Sequence, residues 1–310
     1  MNNKGFTFIE ILGVITLLAL LSTIIILSVN KTLKDSKETL YQTQIEEIKS
    51  AASMWRTDNI EIIPDDDYCV VSLQQLKDEG YIKNDIINPK TKEEFDKGTL
   101  INIGINNISL NTEYEKLDYI ESTGTQYIDT GVIANQNTGF DIDYISYNKA
   151  NNITGEFGTL FGARKTYKDS GFQLTTYNEA NLLGHFLFGT DTTASNIRYS
   201  AGIITNTRQQ IQFRNGILSL PDNTTTTVTN YTFETPLPIT LFALNTLEKG
   251  ISEKSQTRLY SFKIYSTNKL IRNYIPCYKI SDKTVGLYDT VNNKFYTNDG
   301  TGSFVYGKIN

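Results

Sequence analysis

Residues 6–29 read FTFIEILGVITLLALLSTIIILSV. As a helix rising ~1.5 Å per residue, a stretch of this length crosses the ~30 Å hydrocarbon layer of a bilayer. Its single charge is Glu10. A carboxylate at the centre of a membrane helix costs about 2.5–3.5 kcal/mol. No Lys or Arg lies within helical reach of it on the apolar side, so the sequence calls for a partner from outside the chain. Lys4 precedes the run and predicts a cytoplasmic N-terminus, with the rest of the chain on the far side. A cleaved secretory signal would have an apolar core of only ~7–15 residues and a small-residue cleavage site after it. This run is longer and is followed by no such site.

The helix is expected to continue beyond Val29. Leu33, Lys37, Leu40, Tyr41, Gln44, Ile45, Ile48, Ala51, Ala52 and Trp55 recur at spacings of three and four, with Lys34, Asp35, Glu38, Glu46, Glu47 and Lys49 on the other face. No proline interrupts residues 6–63, which predicts an unbroken helix from Phe6 to about Asn59. Pro64 and the acidic residues 65–67 mark its end.

Lys4-Gly5-Phe6-Thr7-Phe8-Ile9-Glu10 resembles the processing site of type IV prepilins and pseudopilins. The resemblance implies a prepilin peptidase as partner, which cuts between Gly5 and Phe6 and N-methylates Phe6. It also implies that Glu10 registers subunits during assembly, pairing with the Phe6 amine of an adjacent subunit. In the family many members carry a helix-bending proline late in the apolar segment, and this sequence has none.

Residues 68–112 supply a small head. Tyr68–Val71 reads as a strand, Ser72 as the N-cap of a helix Leu73–Glu79 ended by Gly80, and Leu100–Ile105 as a second strand. The string LKDEGYI, with INPKT after it, resembles the head of small Gram-positive type IV pilins.

From Glu113 onward the helical period disappears. Residues 140–147 and 258–265 alternate with period two, and Asn215-Gly216 between 210–214 and 217–220 is a tight-hairpin signal. Further short strands are predicted at 159–163, 172–176, 186–188 and 239–245, which together argue for a β-sandwich. Residues 117–131, 272–278 and 285–296 resemble the jelly-roll domain of concanavalin A-like and laminin-G-like lectins. The fold class expected is therefore α+β. A leader (1–5) precedes a long pilin helix (6–59) and a small α/β head (60–112), and an all-β jelly-roll sandwich (113–310) follows.

Composition narrows the chemistry. The first 112 residues hold 11 basic and 16 acidic side chains and the rest hold 18 of each, so there is no basic footprint and no nucleic-acid partner is expected. A single histidine, His185, and the absence of CxxC or HExxH speak against a triad, a zinc site or a redox dithiol. A retaining glucanase would carry acids at alternate strand positions, as in E-x-D-x-E, to set two carboxylates ~5–5.5 Å apart. Asp141-Ile142-Asp143 has no third acid, so no enzyme is expected. Asp129, Asp141 and Asp143 are the candidates for a calcium or ligand site, calcium being the sole cofactor considered. Cys69 and Cys277 are read as buried free thiols.

The reading is a surface filament subunit, minor or at the tip. It is membrane-inserted before assembly, joined to other pilin subunits through its helix, and displays a lectin-like domain for a surface glycan or protein. A pseudopilin of a type II secretion or competence apparatus is the alternative, with a surface glycosidase behind it.

Overall fold

The computed structural model describes residues 7–65, 67–83, 85–147, 157–166, 169–178, 182–190, 196–199, 206–229 and 232–309. Side chains 23–25, 27–28, 157, 177–178, 182–183 and 196–199 lie outside the description. The chain divides into two compact units, residues 1–60 with 75–96 and residues 61–74 with 97–310.

The first unit is built on α1 (Phe8–Asp58), a single helix of 51 residues. No proline or glycine pair lies in its second half, and nothing breaks it. Asn59 ends it by donating its backbone N–H to Trp55 and Arg56 carbonyls, while its side-chain amide also reaches the Trp55 carbonyl at 2.9 Å. The three-and-four spacing is realised on one face: Ile45, Ile48, Ala51, Ala52 and Trp55 are buried. Residues 75–96 meet this half. Tyr41 stacks on Phe95 with ring centroids 5.7 Å apart, and the Trp55 indole N–H donates to Glu79 Oε2 at 2.7 Å. Lys90 lies over the Tyr41 ring and pairs with Glu38 at 2.8 Å. The short helix α2 (Leu73–Asp78) stops one residue earlier than expected; Gly80, at φ 82°, takes the left-handed position that closes it.

The N-terminal half of α1 differs. Twelve large hydrophobic side chains from Phe8 to Val29 are exposed, Phe8 at 82% and Ile9 at 75%. Counted over described residues alone, no helix is long and apolar enough to cross a membrane. Side chains 23–25 and 27–28 fall within the run and outside that count.

The second unit carries the strands. In chain order they are β1 (Tyr68–Ser72), β2 (Thr99–Gly104), β3 (Ile108–Lys116), β4 (Tyr119–Thr123), β5 (Ile128–Asp129), β6 (Thr138–Ser146) and β7 (Phe157–Thr166). Then come β8 (Asp169–Asn178), β9 (Leu182–Gly189), β10 (Asn196–Tyr199), β11 (Gln209–Arg214), β12 (Ile217–Ser219), β13 (Thr225–Thr227) and β14 (Thr240–Leu241). The last are β15 (Leu244–Thr246), β16 (Gly250–Ser252), β17 (Gln256–Ser266), β18 (Lys269–Lys279), β19 (Val285–Asp289), β20 (Lys294–Thr297) and β21 (Val305–Gly307).

Among the described residues these form two sheets. One has the order β1-β2-β3-β18-β17-β6-β11-β12-β13, with β19–β20 joined to β18 and β4–β21 joined to β17. The other runs β10-β9-β8-β7-β14-β5, with β15–β16 beside β7. All pairings are antiparallel except β15 with β7. The sheets share one core: Phe140 of β6 meets Phe161 of β7 edge-on at 4.7 Å and Phe186 of β9 at 5.5 Å. Alternation on β6 explains this, since Phe140, Ile142 and Tyr144 point inward and Asp141 and Asp143 outward.

Two details differ from strict sequence patterning. The period-two reading of 258–265 is broken by a register shift between Leu259 and Ser261, and this bulge lets Leu259, Phe262 and Ile264 all face the core. The compositional step at residue 113 falls inside β3, which pairs with β2 and also, through Tyr114–Lys116, with β18. The strands assigned by sequence to a separate head thus belong to the same hydrogen-bonded sheet as β17 and β6.

Candidate functional site

The cleavage pair Gly5–Phe6 lies outside the described residues. Just beyond it, Thr7 caps α1. Its hydroxyl accepts the Glu10 N–H at 3.3 Å, while Glu10 Oε2 accepts both the Thr7 N–H and the Thr7 hydroxyl at 2.8 Å. This is a capping box, in which threonine and glutamate three residues apart satisfy each other's loose ends. Within its own chain Glu10 therefore has a neutral partner, the N-cap Thr7 three residues upstream, and no Lys or Arg among the described residues pairs with it.

The structure does not bring Asp129, Asp141 and Asp143 together. Asp129 lies in β5 of the second sheet, where its Oδ1 accepts the Gly131 N–H at 2.8 Å and its own N–H donates to Asp299. Asp141 and Asp143 stand on the outer face of the first sheet, each held by an arginine of the neighbouring strand region. Arg208 donates Nε and Nη2 to Asp143 at 2.8 and 2.9 Å, and Gln210 adds a third bond at 2.9 Å. Arg214 donates in the same forked way to Asp141, which also accepts the Tyr265 hydroxyl at 3.0 Å. Among the described residues no group of three or more His, Cys, Asp or Glu is arranged to hold a metal.

Sequence reasoning missed the arginines. Arg208 lies 3.7 Å over the Tyr260 ring, Arg214 lies over Tyr265, and Arg258, paired with Glu121 at 2.8 Å, lies 3.7 Å over Tyr119. The result is a ladder of three carboxylate–guanidinium–tyrosine sets across β4, β17, β6 and β11. The alternation of Arg258, Tyr260 and Tyr265 with apolar residues was the available signal, but which acids they meet depends on register. A second polar set lies on the other sheet: Arg164 pairs with Glu253 at 3.2 Å and reaches Gln173, and Glu253 also accepts the Thr159 hydroxyl. His185 sits mid-strand in β9 opposite Thr175 and Arg198, which is a strand position as expected.

Cys69 and Cys277 are both free thiols. Cys277 packs with Val70, Leu100 and Tyr288, and burial pushes its thiol above the ordinary range.

No curated protein and no solved structure matches the chain. Residues 1–26 match the family model described as the prokaryotic N-terminal methylation motif, so over this segment, which contains Gly5, Phe6, Thr7 and Glu10, the chain is similar to proteins that carry that motif.

Proposed function

We propose that this chain is a type IV pilin-like subunit. Its precursor is held in the membrane by residues 6–29, cut by a prepilin peptidase between Gly5 and Phe6, methylated at Phe6, and assembled through α1. The β-region, folded as a concanavalin A- or laminin-G-like jelly roll, is then displayed on the cell surface as a lectin-like adhesive body without catalytic activity. Its bulk beside a single helix favours a minor or tip position.

The observation that carries this reading is the exposed half of α1 beside the methylation motif. Fully burying a large apolar side chain is worth about 1.5–3 kcal/mol, and most of these twelve are about half accessible, so together they represent about 10–20 kcal/mol of uncovered surface. That is as large as the ~5–15 kcal/mol by which a whole domain is stable. Lipid covers such a helix before assembly, and neighbouring copies of the same helix cover it afterwards.

The test is co-expression with a prepilin peptidase, reading the chain in sheared surface filaments. Gly5→Val should leave an uncut chain in the membrane fraction, because the peptidase needs close backbone approach at that glycine. Cleavage of Gly5→Val at the wild-type rate would contradict the reading.

A further inference from the structure

The C-terminal half of α1 is not covered all round by its own unit. Ile45, Ile48 and Trp55 are buried, and beside them a groove of about 760 Å³ runs between α1 and Gly80–Lys83. Ala51, Met54 and Ile82 line it as an apolar strip, and Glu47, Asp58 and Lys83 supply its charges. The Tyr81 hydroxyl donates to Asp58 Oδ2 at 2.8 Å and ties the facing segment to the helix. From Glu47 to Asp58 the groove follows α1 for about three turns, ~16 Å. That elongated shape suits a second helix laid alongside.

The preceding part of α1 has the matching chemistry. Leu33, Leu40, Glu47 and Met54 recur every seven residues, and Leu33, Leu40 and Met54 are exposed at 55%, 56% and 52%. A seven-residue repeat is the seam along which helices wind round one another. Lys37 stands between the two leucines, four residues from one and three from the other, so it shares their face. Among the described residues neither Lys37 nor Glu47 takes part in an ion pair. Their neighbours Glu38 and Glu46 are paired within the chain, with Lys90 and Lys49. One stretch of α1 thus offers an apolar stripe with a spare cation, and the next offers an apolar groove with a spare carboxylate.

Copies inserted in the same direction have parallel helices. In register, Lys37 would face Lys37 and Glu47 would face Glu47, like charge against like. An offset of two heptads, about 14 residues or ~21 Å, removes this conflict. Leu40 of one copy is then level with Met54 of the next, and Lys37 is level with Ala51, between Glu47 and Asp58. An offset of three heptads would carry Leu40 past Asp58 and out of the groove. Stripe and groove are different parts of one chain, so the contact is heterologous. Each copy accepts one neighbour and enters another, and such a series need not close into a ring.

We propose that the groove between α1 and Gly80–Lys83 receives the Leu33–Leu40 stripe of a second copy of the chain, parallel to it and about two heptads out of step. The proposal rests on the reading above that the chain assembles through α1, and it concerns the part of α1 beyond the apolar run.

Leu40→Cys with Met54→Cys in one chain puts a thiol on each side of this contact, at exposed positions where substitution costs little. The full chain is co-expressed with a prepilin peptidase, and its membranes and sheared filaments are treated with a short bismaleimide. The expected product is a ladder of dimers, trimers and longer chains. Neither single variant should form a ladder, nor should the wild-type chain with its own Cys69 and Cys277. Asp35→Cys with Lys49→Cys, equally spaced on another face of α1, should give at most a third of the cross-linking. Added to the Leu40→Cys, Met54→Cys chain, Glu47→Lys should cut the ladder threefold or more, and Lys37→Glu on top of it should restore the ladder. Absence of the ladder overturns the proposal, as does an equal ladder from the Asp35, Lys49 pair or no rescue by Lys37→Glu. If the first pair expresses poorly, Leu33→Cys with Glu47→Cys, in the same register, takes its place. Cleavage after Gly5 is read by mass on the same samples. A cut chain without a ladder sinks the groove contact alone, whereas a ladder of uncut chains upholds the contact and sinks the processing.

Discussion

The apolar half of α1 and the inner faces of the two sheets carry the same kinds of side chain, and only those of the sheets are covered by their own chain. Phe140, Phe161, Phe172, Phe186 and Phe262 are fully buried, each against rings contributed by its own chain. Phe8, Ile9, Leu17 and Leu20 stand exposed, each more than half accessible. The cause is periodicity. Strands with period two leave one apolar face, and a second sheet of the same chain closes it. Residues 11–29 are apolar nearly all round the helix, so no single face could be covered by a head of this size. The second half of α1 shows what happens once the pattern becomes amphipathic, since Ile45, Ile48 and Trp55 are buried at once.

The contrast can be broken by mutation. Phe161→Ala should destabilise the β-region by about 3–5 kcal/mol through a cavity in the shared core. Leu17→Ala should change it by less than ~0.5 kcal/mol, as expected for an exposed position. Urea unfolding of both variants decides, and equal effects would erase the distinction.

Alkaline titration sharpens it on the β side. Burial raises the ionisation of Tyr144 and Cys277 above their ordinary ranges. Both groups stay neutral in the fold while the unfolded chain ionises near pH ~8.5 for the thiol and ~10 for the phenol. Their contribution is fully present below those values and is lost as pH rises past them, at about 1.4 kcal/mol per pH unit for each group. Among the described residues the Tyr144 hydroxyl also has no hydrogen-bond partner. Tyr144→Phe should therefore raise stability at neutral pH by about 1–2 kcal/mol and flatten the alkaline loss. A destabilised Tyr144→Phe would show that the hydroxyl has a partner.

Within α1 itself, Trp55→Phe keeps an aromatic ring, smaller than the indole, and removes the donor to Glu79. It should weaken the first unit by about 1–3 kcal/mol, read by the loss of helical circular dichroism on heating. At the other end, Thr7→Ala removes the hydroxyl that caps the residue-10 N–H, at about 0.5–2 kcal/mol of local helix stability, whereas Glu10→Val keeps that cap and removes the carboxylate that accepts from Thr7, with its charge. If Glu10 acts through an intersubunit pair, Glu10→Val should still insert and be cut but enter filaments much more poorly than Thr7→Ala. Equal incorporation of the two would assign Glu10 to capping only.

Much of this was legible in the sequence because it is local. The helix was expected over residues 6–59 and runs Phe8–Asp58, and the Asn215–Gly216 hairpin has positive φ at both residues, as that dipeptide predicts. The stretch 239–245 was read as one strand and is two, because Phe242 takes φ 64° between β14 and β15. The sheet order was not legible. That β18 lies between β3 and β17 depends on its pairing with β3, more than 150 residues away along the chain. The candidate carboxylates failed for the same reason: Asp141 and Asp143 were visible, but Arg208 and Arg214 reach them only through the register of β6 with β11.

If the chain is processed as proposed, its mature N-terminus records the cut most directly. Mass spectrometry of its N-terminal peptide should find a chain beginning at Phe6 with one added methyl group on the α-amine. An intact Met1, or a cut after the apolar run near Val29, would contradict it.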